Sequence, residues 1–263
     1  MRVAANLNML FQEAGGLLQR YEAAAAAGFK YVEVSLPYGE DAEKLKEVKE
    51  RLNLEQVLIN SPPGNWDEGE RGLACLPEKR DEFRKSIDVA IRYAKALNCS
   101  RVHVMAGIAP DGDYLRVQSE KVFVENIAYA AERLADEGIT CLLEPINPKT
   151  IPGYFLFSYD QALGYLQQIK QPNLKIQLDI FHAYQICGSL TKAVKDLFPE
   201  IGHVQVAQVP ERHEPDSAGE VDYKDVFKWL LEEGYDGYIG AEYIPEKSTT
   251  AGLGWIDKFG LCM

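Results

Sequence analysis

Histidine is scarce in this 263-residue chain, with four in all, and positive charge is outnumbered, 28 Lys and Arg against 40 Asp and Glu. The net charge of −12 repels phosphate backbones, so nucleic acid is not an expected partner. No apolar run approaches the roughly 20 residues that span a bilayer, and the opening MRVAANLNMLFQEAG lacks the apolar h-region of a signal peptide. Five cysteines (Cys75, Cys99, Cys141, Cys187 and Cys262) are odd in number, widely spaced and without a CxxC pair. That excludes a disulfide framework or a zinc knuckle as the organising device. The expectation is a soluble cytoplasmic protein without membrane contact; a homo-oligomer is compatible with the sequence.

What is present is an ordinary globular balance, 46% hydrophobic and 26% charged, with enough apolar side chain for a large core. Short β-rich runs alternate with longer helical patterns along the whole chain. Strands are expected at Arg2–Leu7, Tyr31–Ser35, Gln56–Asn60, Arg101–Met105, Thr140–Glu144, Leu174–Asp179, His203–Ala207 and Tyr238–Glu242. The helical stretches between them include an Ala-rich segment at Glu13–Ala27, one near Leu190–Leu197 and a closing stretch at Ser248–Phe259. Eight βα units without a linker imply a parallel sheet, and α/β barrels of about 250 residues form one domain. The expected fold is therefore α/β, a single (β/α)8 TIM barrel covering residues 1–263. No GxGxxG follows the first strand, which argues against a dinucleotide-binding sheet.

A parallel barrel builds its active site at the C-terminal ends of its strands. The last four expected strands end on Glu144, Asp179, Gln205 and Glu242. Side chains alternate along a strand, and one phase fits all four. With these polar residues inward, Cys141, Leu143, Leu174, Ile176, Leu178, Val204, Val206, Ile239 and Ala241 face the helices. A lone acidic residue at a strand end is as often a helix cap as a ligand. Four converging ones make an all-oxygen site, in which crowded carboxylates need a cation or a proton between them. Oxygen ligands without cysteine suit a hard divalent ion such as Mg²⁺ or Mn²⁺.

His182 and His213 lie just beyond strands, placed to touch a substrate, whereas His103 and His203 are as consistent with satisfied interior histidines as with a direct role. Arg212, in PERHEP, and Arg71, in the long third loop, can grip a substrate carboxylate with paired hydrogen bonds.

The sequence resembles the hydroxypyruvate isomerase family, a branch of the xylose isomerase-like barrels, nearly end to end. The resemblance is carried by AANLNMLF, PPGNWDEGERGLAC, RVHVMAG, LLEPIN, QLDIFHAYQ, GHVQVAQVPERHEP and AGLGW. It implies interconversion of hydroxypyruvate and 2-hydroxy-3-oxopropanoate, a small anionic hydroxy-carbonyl substrate. Carried over by position, Glu144 and Glu242 are the proton-transfer pair and metal ligands. Asp179 and Gln205 complete the metal shell, and His182 and Arg212 bind substrate oxygens. Related epimerases usually have histidine where this chain has Gln205, which bears on metal dependence and disfavours a sugar 3-epimerase. The nearest alternative is the same chemistry on a longer acid, a 2-oxo-tetronate. A metal-dependent apurinic-site endonuclease shares the barrel but needs more histidines and a basic groove, and a non-catalytic binding protein has no use for two facing glutamates.

Overall fold

A computed structural model describes residues 1–109, 112–188 and 196–263. Eight parallel strands close into a barrel in simple chain order. They are β1 (Arg2–Asn6), β2 (Tyr31–Val34), β3 (Glu55–Asn60), β4 (Arg101–His103), β5 (Thr140–Leu143), β6 (Leu174–Asp179), β7 (Ile201–Val206) and β8 (Tyr238–Ala241). β8 returns to pair with β1, Ala5 standing opposite Ala241, and this closes the barrel. Among the described residues the helices are α1 (Leu17–Ala26), α2 (Ala42–Arg51), α3 (Arg80–Ala96), α4 (Asp113–Ala135), α5 (Tyr159–Ile169), α6 (Ile180–Cys187), α7 (Tyr223–Glu232) and α8 (Gly254–Lys258).

The expected strand phase holds. Cys141, Leu143, Leu174, Ile176, Leu178, Val204, Val206, Ile239 and Ala241 all lie in the large apolar layer between sheet and helices. A second, small cluster fills the lower barrel interior with Ala4, Val57, Leu58, Leu142 and Tyr238. Above it the inward positions turn polar. Register then sets the height of the site, because Asp179 pairs with Gln205 and Gln205 with Gly240 across β6, β7 and β8.

Several elements are shorter than their sequence patterns suggest. The Ala-rich helix begins at Leu17 because Gly15 adopts φ +104°, after a single turn at Gln12–Ala14. The C-terminal stretch divides into a turn at Thr250–Gly252 and the five-residue α8. After β6 the chain enters α6 directly, with the Asp179 carboxylate accepting the Phe181 N–H as its cap. Most of the helix expected near Leu190–Leu197 lies outside the described residues. No helix among the described residues is long and apolar enough to cross a membrane. The five cysteines are free thiols, and Cys75, Cys99 and Cys141 are buried.

Candidate active site

A cavity of about 370 Å³ opens at the C-terminal end of the barrel, within the range of small-molecule sites. Its charged and ionisable lining is His103, Glu144, His182, Arg212 and Glu242, beside neutral polar groups such as Asn8 and Asn60, and its walls are apolar side chains such as Met9, Trp66, Met105 and Ile244. The barrel thus brings together two of the expected acids, one of the two expected arginines and one of the two expected loop histidines.

Arg212 sits among the carboxylates. Its Nη2 donates to Glu242 Oε2 at 2.6 Å and to Asp179 Oδ2 at 3.1 Å, while its plane lies over the Phe181 ring. The loop delivers it with a left-handed backbone, φ +58°, and the Ile244 N–H on the Arg212 carbonyl ties the loop to the one after β8. The sequence placed this arginine on a substrate carboxylate, but in this structure it neutralises the site's own. Its buried Nε has no partner.

Burial acts first on each acid. It pushes the Glu144 carboxyl well above the usual carboxylate range, and the negative charges of Glu242 and Asp179 add to the rise. Burial likewise raises Asp179, against the pull of Arg212 and the Phe181 N–H. Glu242 is raised to about 8, by burial and by Asp179 and Glu33, with Arg212 opposing. The pair therefore holds protons near neutral pH, as carboxyls that both take and give a proton require. A stability trend follows for protein kept free of divalent ions. Between the ordinary carboxylate pKa and about 8, the folded state binds more protons at Glu242 than the unfolded chain does. Stability therefore falls as pH rises through that window. The urea midpoint measured in chelator is expected to drop from pH 5 to pH 8.5, and to drop less in Glu242→Gln.

His182 has a defined tautomer. Asn147 Oδ1 accepts the N–H groups of Lys149 and Thr150, each at 3.0 Å. Its Nδ2 therefore faces His182 Nδ1 at 2.7 Å and donates to it. The ring proton resides on Nε2, 3.6 Å from Asp179 Oδ2. Burial and the Arg212 charge hold the imidazole neutral, its pKa well below the ordinary value. His182 is thus a fixed neutral donor aimed into the cavity.

His103 is not a satisfied interior residue. Its Nδ1 lies 3.4 Å from Glu144 Oε2, both ring nitrogens lack a hydrogen-bond partner, and burial drives its pKa to about 3. Glu144 Oε1 is likewise buried without a partner. Arg71 stacks on the Trp66 ring at 3.7 Å and donates to the Trp66 and Glu70 carbonyls, which makes it a brace for a cavity wall. His213 turns away, its Nδ1 on the Ile244 carbonyl at 2.8 Å.

A divalent ion finds suitable donors here, because Glu144, Asp179 and His182 offer ligand atoms all within 4.8 Å of one another. The unpartnered Glu144 oxygen fits such an ion. His182 fits less well, since its cavity-facing nitrogen carries the proton. Gln205, expected in the shell, stands one layer below the cavity, with Oε1 accepting from Gln177 at 2.6 Å and Nε2 donating to Glu33 at 2.7 Å. Its amide is already engaged because Glu33, a buried acid on β2, claims its N–H.

A family profile described as xylose isomerase-like TIM barrel matches residues 21–259. The chain belongs to this family. Among its relatives, the protein named "Putative hydroxypyruvate isomerase" of Caenorhabditis elegans is 50% identical over 260 residues, 99% of this chain and 97% of its own length. The 2-oxo-tetronate isomerase of Cupriavidus necator is 43% identical over 258 residues, 98% of each chain. A crystal structure described as AP endonuclease, family 2, from Brucella melitensis superposes on this xylose isomerase-like barrel with TM-score 0.94, at 43% identity and 98% coverage of both chains. The D-allulose 3-epimerase of Methylomonas sp., at 21% identity and TM-score 0.72 over 99% of this chain and 91% of its own, shares the fold.

Proposed function

We propose that this protein is an isomerase that interconverts hydroxypyruvate and 2-hydroxy-3-oxopropanoate through an enediolate. The observation that carries this reading is the pair of proton-holding carboxyls, buried Glu144 and half-buried Glu242, lining one small cavity with a fixed neutral N–H donor at His182. Full-length relatives named for this reaction and for the isomerisation of 2-oxo-tetronate support it.

In this scheme the substrate's C2 carbonyl accepts a hydrogen bond from His182 Nε2. One glutamate, in its ionised form, removes a proton from C3, and the C3–H electron pair becomes the C2–C3 double bond of a cis-enediolate. The protonated carboxyl returns a proton to C2, while the proton on O3 is passed to O2, leaving an aldehyde at C3. Arg212 and His182 stabilise the negative charge that grows on the oxygens. Glu144, Asp179 and Glu242 would hold a divalent ion, Mg²⁺ or Mn²⁺, with Gln205 joining only by releasing Gln177. When bound, that ion would polarise the substrate oxygens and strengthen enediolate stabilisation. Arg212 would then be free to turn to the substrate carboxylate.

The same geometry accommodates a four-carbon acid, and the alternative of 2-oxo-tetronate isomerisation is separated by rate. Steady-state kinetics with hydroxypyruvate and both 2-oxo-tetronates, with and without chelator, test the reading. The expected result is a kcat/KM for hydroxypyruvate at least tenfold above either longer acid, lost in chelator and restored by Mg²⁺ or Mn²⁺. A preference for a longer acid would move the assignment to that substrate, and no turnover of any of the three would dismiss it.

A further inference from the structure

Beneath the cavity lies a buried polar layer with one residue at its centre. Glu33, on β2 and fully buried, accepts three hydrogen bonds. Asn6 Nδ2 and Gln205 Nε2 donate to its Oε1 at 2.9 and 2.7 Å, and His203 Nε2 meets its Oε2 at 2.7 Å. The layer makes room for it at Gly240, where an added Cβ would lie 2.4 Å from a Glu33 oxygen.

One of these three partners leads upward. Asn6 Nδ2 also donates to Glu242 Oε1 at 3.1 Å, so one amide nitrogen bridges the buried acid and a candidate proton carrier. Gln205 Nε2 is likewise fixed on Glu33, so its Oε1 is turned to Gln177 Nε2 within the buried layer. The Asn6 oxygen accepts the Asn8 N–H at 3.0 Å, which leaves its Nδ2 to be shared between Glu33 and Glu242. A carboxylate accepts only, so its partners must all present N–H groups; an alanine there would remove the acceptor that holds Asn6 Nδ2 and Gln205 Nε2.

We propose that Glu33 is a positioning residue for the reaction, fixing Glu242 through Asn6. It does not line the cavity, and its effect is on the placement of the Glu242 carboxyl. The inference rests on the assignment of Glu242 to proton transfer.

The test compares Glu33→Ala, Glu33→Gln, Asn6→Ala and the Glu33→Ala/Asn6→Ala double variant, with Glu242→Gln alongside, by kcat, KM for hydroxypyruvate and thermal melting. Glu33→Ala is expected to lower kcat about 100-fold while KM changes less than about threefold, because misplacing a reacting group costs rate more than affinity. Glu33→Gln keeps an oxygen for Asn6 and Gln205, and its NH2 is received by His203 once that ring moves its proton to the unpartnered Nδ1. It is expected to retain kcat within about tenfold. Asn6→Ala is expected to lower kcat about tenfold or more, and the double variant to lose less than the product of the two single losses. If Glu33→Ala does not fold, Asn6→Ala decides alone, since it cuts the bridge and leaves the buried acid in place. A folded Glu33→Ala or Asn6→Ala with wild-type kcat overturns the proposal, as does a Glu33→Gln no better than Glu33→Ala. An active Glu242→Gln would overturn the proton-transfer assignment itself and this inference with it, whereas an inactive Glu242→Gln beside a fully active Glu33→Ala overturns the inference alone.

Discussion

Glu242→Gln is expected to lower kcat by about three orders of magnitude, the scale of a lost general acid–base group, while the protein remains folded. The exchange keeps the size of the side chain and removes only its ability to carry a proton. Glu242 is the acid best equipped for that task. Its carboxyl lines the cavity, its pKa stands near 8, and its two oxygens are held by Asn6 and Arg212 rather than left to swing. The amide is neutral at every pH, so the folded protein no longer has to bury this ionisable group above pH 8. Melting at pH 8.5 in chelator should therefore be no lower than that of the parent. Parallel measurements of kcat and melting temperature separate the expected outcome, an inactive folded protein, from simple loss of structure.

Arg212→Met carries the largest expected effect on stability. The guanidinium is the counter-charge for a cluster of three acids, in contact with Asp179 and Glu242 and acting on Glu144 over a longer range. Removing one partner from a buried ion-pair network costs about 3–5 kcal/mol, on the order of 10 °C in melting temperature for a chain of this size. Methionine keeps the apolar stem over Phe181 and the length of the side chain, so the loss reports the charge. A divalent ion among the same acids replaces that charge. Melting of Arg212→Met in chelator is expected to fall by about that amount and to recover substantially with Mg²⁺ or Mn²⁺. A variant as stable in chelator as the parent would show that the carboxyls do not need this cation.

The barrel and the height of its site are legible in the sequence because both follow from alternation along strands. The residue types around Glu144, Asp179, Gln205 and Glu242 admit one phase, and the apolar layer takes it. Asp179 also shows that the two meanings of an acid at a strand end are compatible, since it faces the site and caps α6. The same alternation fixes Glu33. Val32 and Val34 point into the outer layer, so the acid between them in YVEV must face inward. It lies within its strand, one position short of the end, and so below the mouth of the barrel. What periodicity cannot reach is the reach of loop side chains. Arg71 and Arg212 both stand in loops rich in polar residues, yet one stacks on Trp66 and the other enters the acid cluster. A single backbone angle, the positive φ at Arg212, and one carbonyl contact to Ile244 belong to that placement. The tautomer of His182 is equally hidden, because it depends on how Asn147 is anchored by two backbone N–H groups across the loop.

Proton transfer between adjacent carbons by the two cavity glutamates is tested by an NMR time course in D₂O with hydroxypyruvate. The wild-type enzyme is expected to form 2-hydroxy-3-oxopropanoate with deuterium entering at C2 of the product and at C3 of recovered substrate, and Glu242→Gln to do neither. Product that forms with hydrogen carried from C3 to C2 and no solvent deuterium at either carbon would contradict proton exchange through these carboxyls and point to direct hydride transfer.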